Sequence, residues 1–453
     1  MSDHQSSPAL YTPMSRRRLL RTLGAAGGAT LLSATGLPRQ IHAAKAPTIR
    51  IFNNETDPDT IAFLKKMATD YKAEAGATVK IETVPVMQTV TKLTTSIKAG
   101  KPYDFIIYWT NLAIQLAEEG QLAPLGEIIK EVGVDDFGPR ALRKFKDDYW
   151  IYPYDYNFNY LLYRKDWFAE KGLAVPNDWN EFLEVCKALN DPKNKQYALT
   201  LPFGNGVHTN WGNTAFLWAA GVEFYDDEWN VILDSPDIKP RVVKTLEFLE
   251  KVSQYTPPGP LETSLKDMLI NFSNGTSAMT SYTGRAIHTI EDRNPELADK
   301  YAIMSYPGPD GGKRAVTYGD DGFSIGKTSN TEATVDFFKW FLSTERLIDY
   351  QLTVALHYQP PQYSTYKNEK WRSNPLIQKH WETIEVMMDF MNTDKTLVGS
   401  IDFQGPQASP NHARIMTSNV IPKMYSQVLL KKMTPSQAVD AAAKEIREFT
   451  TRS

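Results

Sequence analysis

The stretch Thr48-Ile-Arg-Ile-Phe-Asn-Asn-Glu55 decides how this chain folds. Ile49 and Ile51 alternate with Thr48 and Arg50, the period of a strand with one buried face, and the run breaks into a polar turn at Asn53-Asn54-Glu55. From about Asp59 to Ala75 the period lengthens, so that Ile61, Leu64, Met67 and Tyr71 share one face of a helix that Gly76 closes. Val79 to Val84 reads as a second strand and Val90 to Ala99 as a second helix. Tyr103 to Tyr108 is a buried third strand that hands Trp109-Thr110-Asn111 to a loop. Strands alternating with helices predict a parallel α/β sheet. Ligands of such sheets bind beyond the carboxyl ends of the strands, where Asn54, Glu55, Trp109 and Asn111 fall.

Upstream, Ser15-Arg16-Arg17-Arg18-Leu19-Leu20 precedes a short apolar run dotted with Gly24, Gly27, Gly28 and Gly36. An arginine pair before a short, lightly apolar segment and small residues at Ala43-Ala44 is the pattern of a twin-arginine export signal, here residues 1–44. Mature protein would begin near Lys45 and reside in a periplasm. The run is too short and too weakly apolar for a permanent membrane span, which needs about 20 strongly apolar residues.

Some 400 residues behind the signal exceed what one core usually serves and predict two lobes. At 42% hydrophobic, 23% charged and net charge −3, the composition is globular and carries no basic footprint for nucleic acid. The lone cysteine, Cys186, excludes an intramolecular disulfide and sits on the apolar face of a helical pattern with Phe182, Val185 and Leu189, which reads as core packing. Histidines 4, 42, 208, 288, 357, 380 and 412 are scattered without metal-ligand spacing, so no metal site is expected. The chain has no Walker loop, no G-x-G-x-x-G after a strand and no G-x-S-x-G elbow.

Leu116-Ala-Glu-Glu-Gly-Gln-Leu-Ala-Pro-Leu125, and Tyr152 to Asp166 running on to Gly172-Leu-Ala-Val-Pro-Asn-Asp-Trp179, resemble extracellular solute-binding proteins of ABC importers. Within these the similarity is to the sugar-binding group that includes the maltose-binding protein. Asn271 to Met279, Pro307 to Gly312, Tyr318 to Gly322 and the helical run Thr331 to Ser343 continue the match in the family's order. The resemblance implies an α/β, two-lobed periplasmic-binding-protein fold, each lobe a sheet flanked by helices and hinged by crossing segments. Crossings are placed near Tyr154–Asn157, Val316–Tyr318 and Pro361–Tyr366. Residues 45–155 with 318–366 would form one lobe, and 156–317 with 367–453 the other. It further implies a monomeric, non-enzymatic carrier without a cofactor, which takes a carbohydrate by hinge closure and passes it to a membrane permease.

A sugar has apolar C–H faces and a rim of hydroxyls, so its site needs flat rings beside carboxylates and amides. The chain offers Asn54 and Glu55; Trp109 and Asn111; Tyr154, Asp155 and Asn157; Trp211; Tyr282 and Arg285; Tyr318, Asp320 and Asp321; and Gln359. The resemblance makes Tyr282 a stacking ring. Trp211 is expected just before a helix from Thr214 to Ala220. Arg285 leaves a second reading open, an anionic polyol or sugar phosphate gripped by the guanidinium fork. Asp320 or Asp321 with Glu55 leaves a third, the carboxylate pair of a glycoside hydrolase.

Overall fold

The computed structural model describes residues 47–450 apart from 139, 311–312, 393–395, 400–407, 410–414 and 416–417. The expected export signal, residues 1–44, lies outside the described residues. β1 (Thr48–Asn53), β2 (Thr78–Thr83) and β3 (Phe105–Trp109) are parallel, with Ile51 beside both Ile81 and Phe105. Helices Pro58–Ala75 and Thr89–Lys98 supply the crossovers. Asp57 opens the first helix by accepting the Asp59 N–H at 3.0 Å, and Gly76 closes it at φ 74°, a left-handed turn that costs glycine no Cβ clash.

β4 (Leu122–Ala123) and β5 (Tyr152–Pro153) are short additions before the chain leaves for a second sheet. That sheet holds β6 (Asn157–Arg164), β7 (Tyr197–Thr200), β8 (Ser277–Tyr282), β9 (Tyr301–Met304), β10 (Tyr306–Pro307) and β11 (Arg314–Gly319). The chain then returns as β12 (Asp321–Gly326), and β13 (Thr396–Gly399) later joins β11. The first sheet runs β2-β1-β3-β12-β4 with β5 on β12. The second runs β10-β11-β6-β8-β7 with β9 on β6. The first sheet is therefore mixed rather than wholly parallel: β12 enters from the opposite end and pairs antiparallel with β3.

The run that joins the sheets shows why they form one body. Tyr152, Tyr154, Tyr156, Phe158 and Tyr160 are each at most 2% exposed. Side chains of extended backbone alternate between faces, so the even-numbered rings enter a common core while Asp155 and Asn157 face the other way. Tyr154 meets Phe323 at 4.8 Å, Tyr350 at 5.0 Å and Tyr358 at 5.2 Å between ring centres. Three passages lie side by side here. The Tyr154 N–H donates to Asp321 O at 3.0 Å and the Tyr156 N–H to Gln359 O at 2.7 Å. The return from the second sheet falls at Asp320, just beyond the stretch expected from the sequence. Pro361 and Gln362 remain beside Gly138 and Phe137.

A second core lies under the other sheet, where Trp179 stacks on Phe248 at 4.3 Å and the late helices Val420–Leu429 and Pro435–Thr450 contribute Met424, Val439 and Ile446. Cys186 is fully buried in it. Among the described residues no helix is long and apolar enough to cross a membrane.

Candidate functional site

Asn53 shapes the end of β1. Its side chain donates to Glu55 O at 2.7 Å and accepts the Glu55 N–H at 3.0 Å, a local turn that fixes where the Glu55 carboxylate points. Arg285 comes from the other sheet, in the first turn of helix Gly284–Arg293 after β8. Its guanidinium lies 3.1 Å from Glu55 Oε2 and 3.6 Å from Asp57 Oδ2. The helix starts close against the third passage because residue 284 has no side chain: a Cβ there would sit 1.6 Å from Leu356 O. Burial opposes the charge of Arg285, but Glu55, Tyr358 and Asp57 outweigh it and hold the group above its ordinary value. Tyr154 adds its hydroxyl to Glu55 Oε1 at 3.4 Å.

Beside this ion pair stands a pair of acids. Asp155, fully buried, accepts the Asp321 N–H at 2.8 Å through Oδ1, while its Oδ2 has no hydrogen-bond partner among the described residues. Burial first, then the charge of Asp321, pushes the Asp155 carboxyl well above the usual range. Burial, Glu55 and Asp320 do the same to Asp321. Two further oxygens lack partners among the described residues: Asn54 Oδ1, in a residue 2% exposed, and Asn157 Oδ1.

Three half-buried rings complete the set. Trp109 ends β3 directly opposite Asp321. Trp211 lies against the backbone of Gly319, which pairs with Asn157. Tyr282 ends β8 opposite Tyr160. Two local expectations change. Helix Thr110–Glu118 begins immediately after Trp109, so Asn111 is in a helical turn and not a loop. Trp211 lies inside helix Val207–Ala219 and not ahead of one.

The structure thus gathers Asn54, Glu55, Trp109, Asp155, Asn157, Trp211, Tyr282, Arg285 and Asp321 around the passages, while Asn111 is the second residue of the helix that Trp109 precedes. It turns four other candidates inward. Tyr154 belongs to the aromatic core. Tyr318, 1% exposed, donates its hydroxyl to Arg140 O at 3.1 Å and carries Arg143 over its ring at 4.8 Å. Asp320, 4% exposed, is held by Arg143 at 2.9 Å and by the Thr110 hydroxyl at 2.6 Å. Gln359 bonds locally, to Leu356 O at 3.3 Å and the Tyr366 hydroxyl at 3.4 Å.

Sequence reasoning missed Asp57, Thr110 and Arg143. Asp57 carried a signal, an Asp-Pro pair at a helix start, but it was legible only as a cap. Arg143 lies in an aperiodic segment with none. Two adjoining hollows of about 500 and 510 Å³ lie elsewhere, sharing Lys367, Arg372 and Trp381, and none of the candidate residues lines them.

Comparison with known proteins agrees with this architecture. Residues 57–346 match the model of the bacterial extracellular solute-binding protein family. The chain is 22% identical over 296 residues to the putative ABC transporter periplasmic-binding protein YcjN of Escherichia coli K12. That match spans 64% of this chain and 64% of the relative, a little under two thirds of its length. It is 23% identical over 395 residues to the maltotriose-binding protein of Pyrococcus abyssi, covering 83% of this chain and 80% of that one. Among solved structures, an ABC transporter solute-binding protein of Thermotoga lettingae bound with alpha-D-tagatose superposes with a TM-score of 0.72 at 22% identity, over 89% of this chain and all of the other. The shared fold is the two-lobed α/β architecture, and the chain belongs to the bacterial extracellular solute-binding protein family.

Proposed function

We propose that this protein captures a sugar or sugar alcohol between its two halves and delivers it to the membrane permease of an ABC importer. One observation carries the reading: Glu55, in the turn after first-sheet strand β1, and Arg285, in the first turn of the helix that follows second-sheet strand β8 and its terminal Tyr282, meet at 3.1 Å. A ligand held there touches both halves, and only interactions stronger in the closed form than in the open one shift the balance between the two. In this reading the expected lobes, residues 45–155 with 318–366 and 156–317 with 367–453, keep their division except that the return boundary moves to Asp320, because β11 runs to Gly319. The sugars named for relatives support the ligand class. Of the two carboxylates that a hydrolase could pair with Glu55, Asp320 is already engaged by Arg143 and Thr110, which leaves Asp321 alone to carry that reading.

A thermal-shift and calorimetric screen of the mature protein against sugars and polyols tests this. A ligand at 100 times its dissociation constant adds about 2.7 kcal/mol of stability. A broad panel without any shift, or conversion of an oligosaccharide to products, defeats the proposal. Export by the twin-arginine route, as a monomer released into the periplasm, completes the reading. Replacing Arg16 and Arg17 by lysine should leave the precursor in the cytoplasm, and unchanged export would refute that route.

A further inference from the structure

Arg285 looks from sequence like an anion receptor, but its surroundings give it another task. Its two outer nitrogens face Glu55 and Asp57, so two carboxylates oppose one guanidinium before any ligand arrives. Asp57 keeps its other oxygen on the helix cap at the Asp59 N–H. Asp320 is balanced by Arg143, and the Asp155–Asp321 pair has no cation hydrogen-bonded to it among the described residues. Around Arg285, Glu55 and Asp57 therefore outnumber the cation two to one, and the buried Asp155–Asp321 pair supplies no positive charge. Buried among them, Asn54 Oδ1, Asp155 Oδ2 and Asn157 Oδ1 lack partners among the described residues, although Asn54 is 2% and Asp155 0% exposed. A buried polar atom without a partner is costly, so these oxygens mark where a ligand's own groups complete the network. A hydroxyl donates or accepts a hydrogen bond. A phosphate or carboxylate oxygen only accepts, and brings a further negative charge into poorly hydrated space.

Building on the carbohydrate reading, we propose that the site admits an uncharged, hydroxyl-rich ligand and rejects its phosphorylated or carboxylated counterpart. Arg285 is a strut between the sheets that holds Glu55 in place.

The test is calorimetric titration of the full mature protein with matched probes: glucose, glucose 6-phosphate and glucuronate; ribitol and ribitol 5-phosphate; maltotriose. The expected result is binding of a neutral probe with its anionic partner at least 100-fold weaker. Arg285→Gln should weaken the neutral probe tenfold or more, because Glu55 loses its anchor. Glu55→Gln should narrow the gap between neutral and anionic probes by removing one repelling charge. If an anionic probe binds more tightly than its neutral partner and Arg285→Gln abolishes only that binding, the strut is wrong while the solute-binding reading survives. If neither neutral nor anionic probes bind at all, the carbohydrate reading fails and this inference with it. Thermal unfolding of each variant confirms that the folded protein was titrated.

Discussion

Replacing Gly319 by alanine isolates the contribution of the Trp211 ring. A Cβ at position 319 would lie 2.2 Å from Cη2, 3.0 Å from Cζ3 and 3.3 Å from Cζ2 of Trp211. Carbon atoms rest about 3.5–4.0 Å apart, so the ring must retreat by roughly 1.5 Å. Neither backbone yields easily. Gly319 is locked by pairing with Asn157, and the Thr317 hydroxyl holds Trp211 O at 2.9 Å. The indole must therefore turn, which costs about 1–3 kcal/mol of overpacking and removes its face from the proposed ligand. An aromatic contact is worth about 0.5–1.5 kcal/mol beyond area, so affinity for the bound sugar should fall about tenfold. Gly319 does not occupy the left-handed region, so alanine adds no backbone strain. Titration calorimetry with tryptophan emission reads both effects. A dissociation constant within twofold of the parent, with unchanged emission and melting temperature, would refute the placement of Trp211.

Asp155→Asn keeps an acceptor for the Asp321 N–H and removes an acid whose folded value is raised by burial and by Asp321. The folded state then holds a proton that the unfolded chain releases above about pH 4, so the parent loses stability as pH climbs from there through the folded value. The variant should gain on the parent toward pH 8 and match it below about pH 4, read as the difference in melting temperature; a loss at pH 8 would overturn the sign. Arg143→Leu leaves Asp320 buried beside Thr110 with its 2.9 Å cation gone, and should cost about 3–5 kcal/mol in urea unfolding. Cys186, fully buried with its thiol pushed up by burial, should ignore a thiol reagent in the native protein and react fully in denaturant. Rapid native labelling would show that its helix opens.

The opening β-α-β pattern was legible because each element carries its own period: Ile49 and Ile51 at spacing two, then Leu64, Met67 and Tyr71 at helical spacing. The antiparallel entry of β12 was not, since strand direction depends on where the chain stands when it returns from the other sheet. The aromatic run at the crossing held a signal that composition hid. Treating Tyr154, Asp155 and Asn157 as one polar-aromatic cluster overlooked that alternate residues of an extended segment face opposite ways, which sends Tyr154 to the core and leaves Asp155 and Asn157 on the other face.

Residue order alone determined that strands and helices would alternate, that Glu55 and Trp109 would stand at strand ends, and that Cys186 would be packed, because those properties follow from periodicity and turn chemistry within a few residues. Only the tertiary structure decided which charges neutralise each other. Arg285 meets Glu55 across 230 positions and Arg143 meets Asp320 across the return crossing, and nothing local in either segment specifies such a partner. Charge pairing is set by distance in space, and that distance exists only once two sheets have been laid against a shared aromatic core.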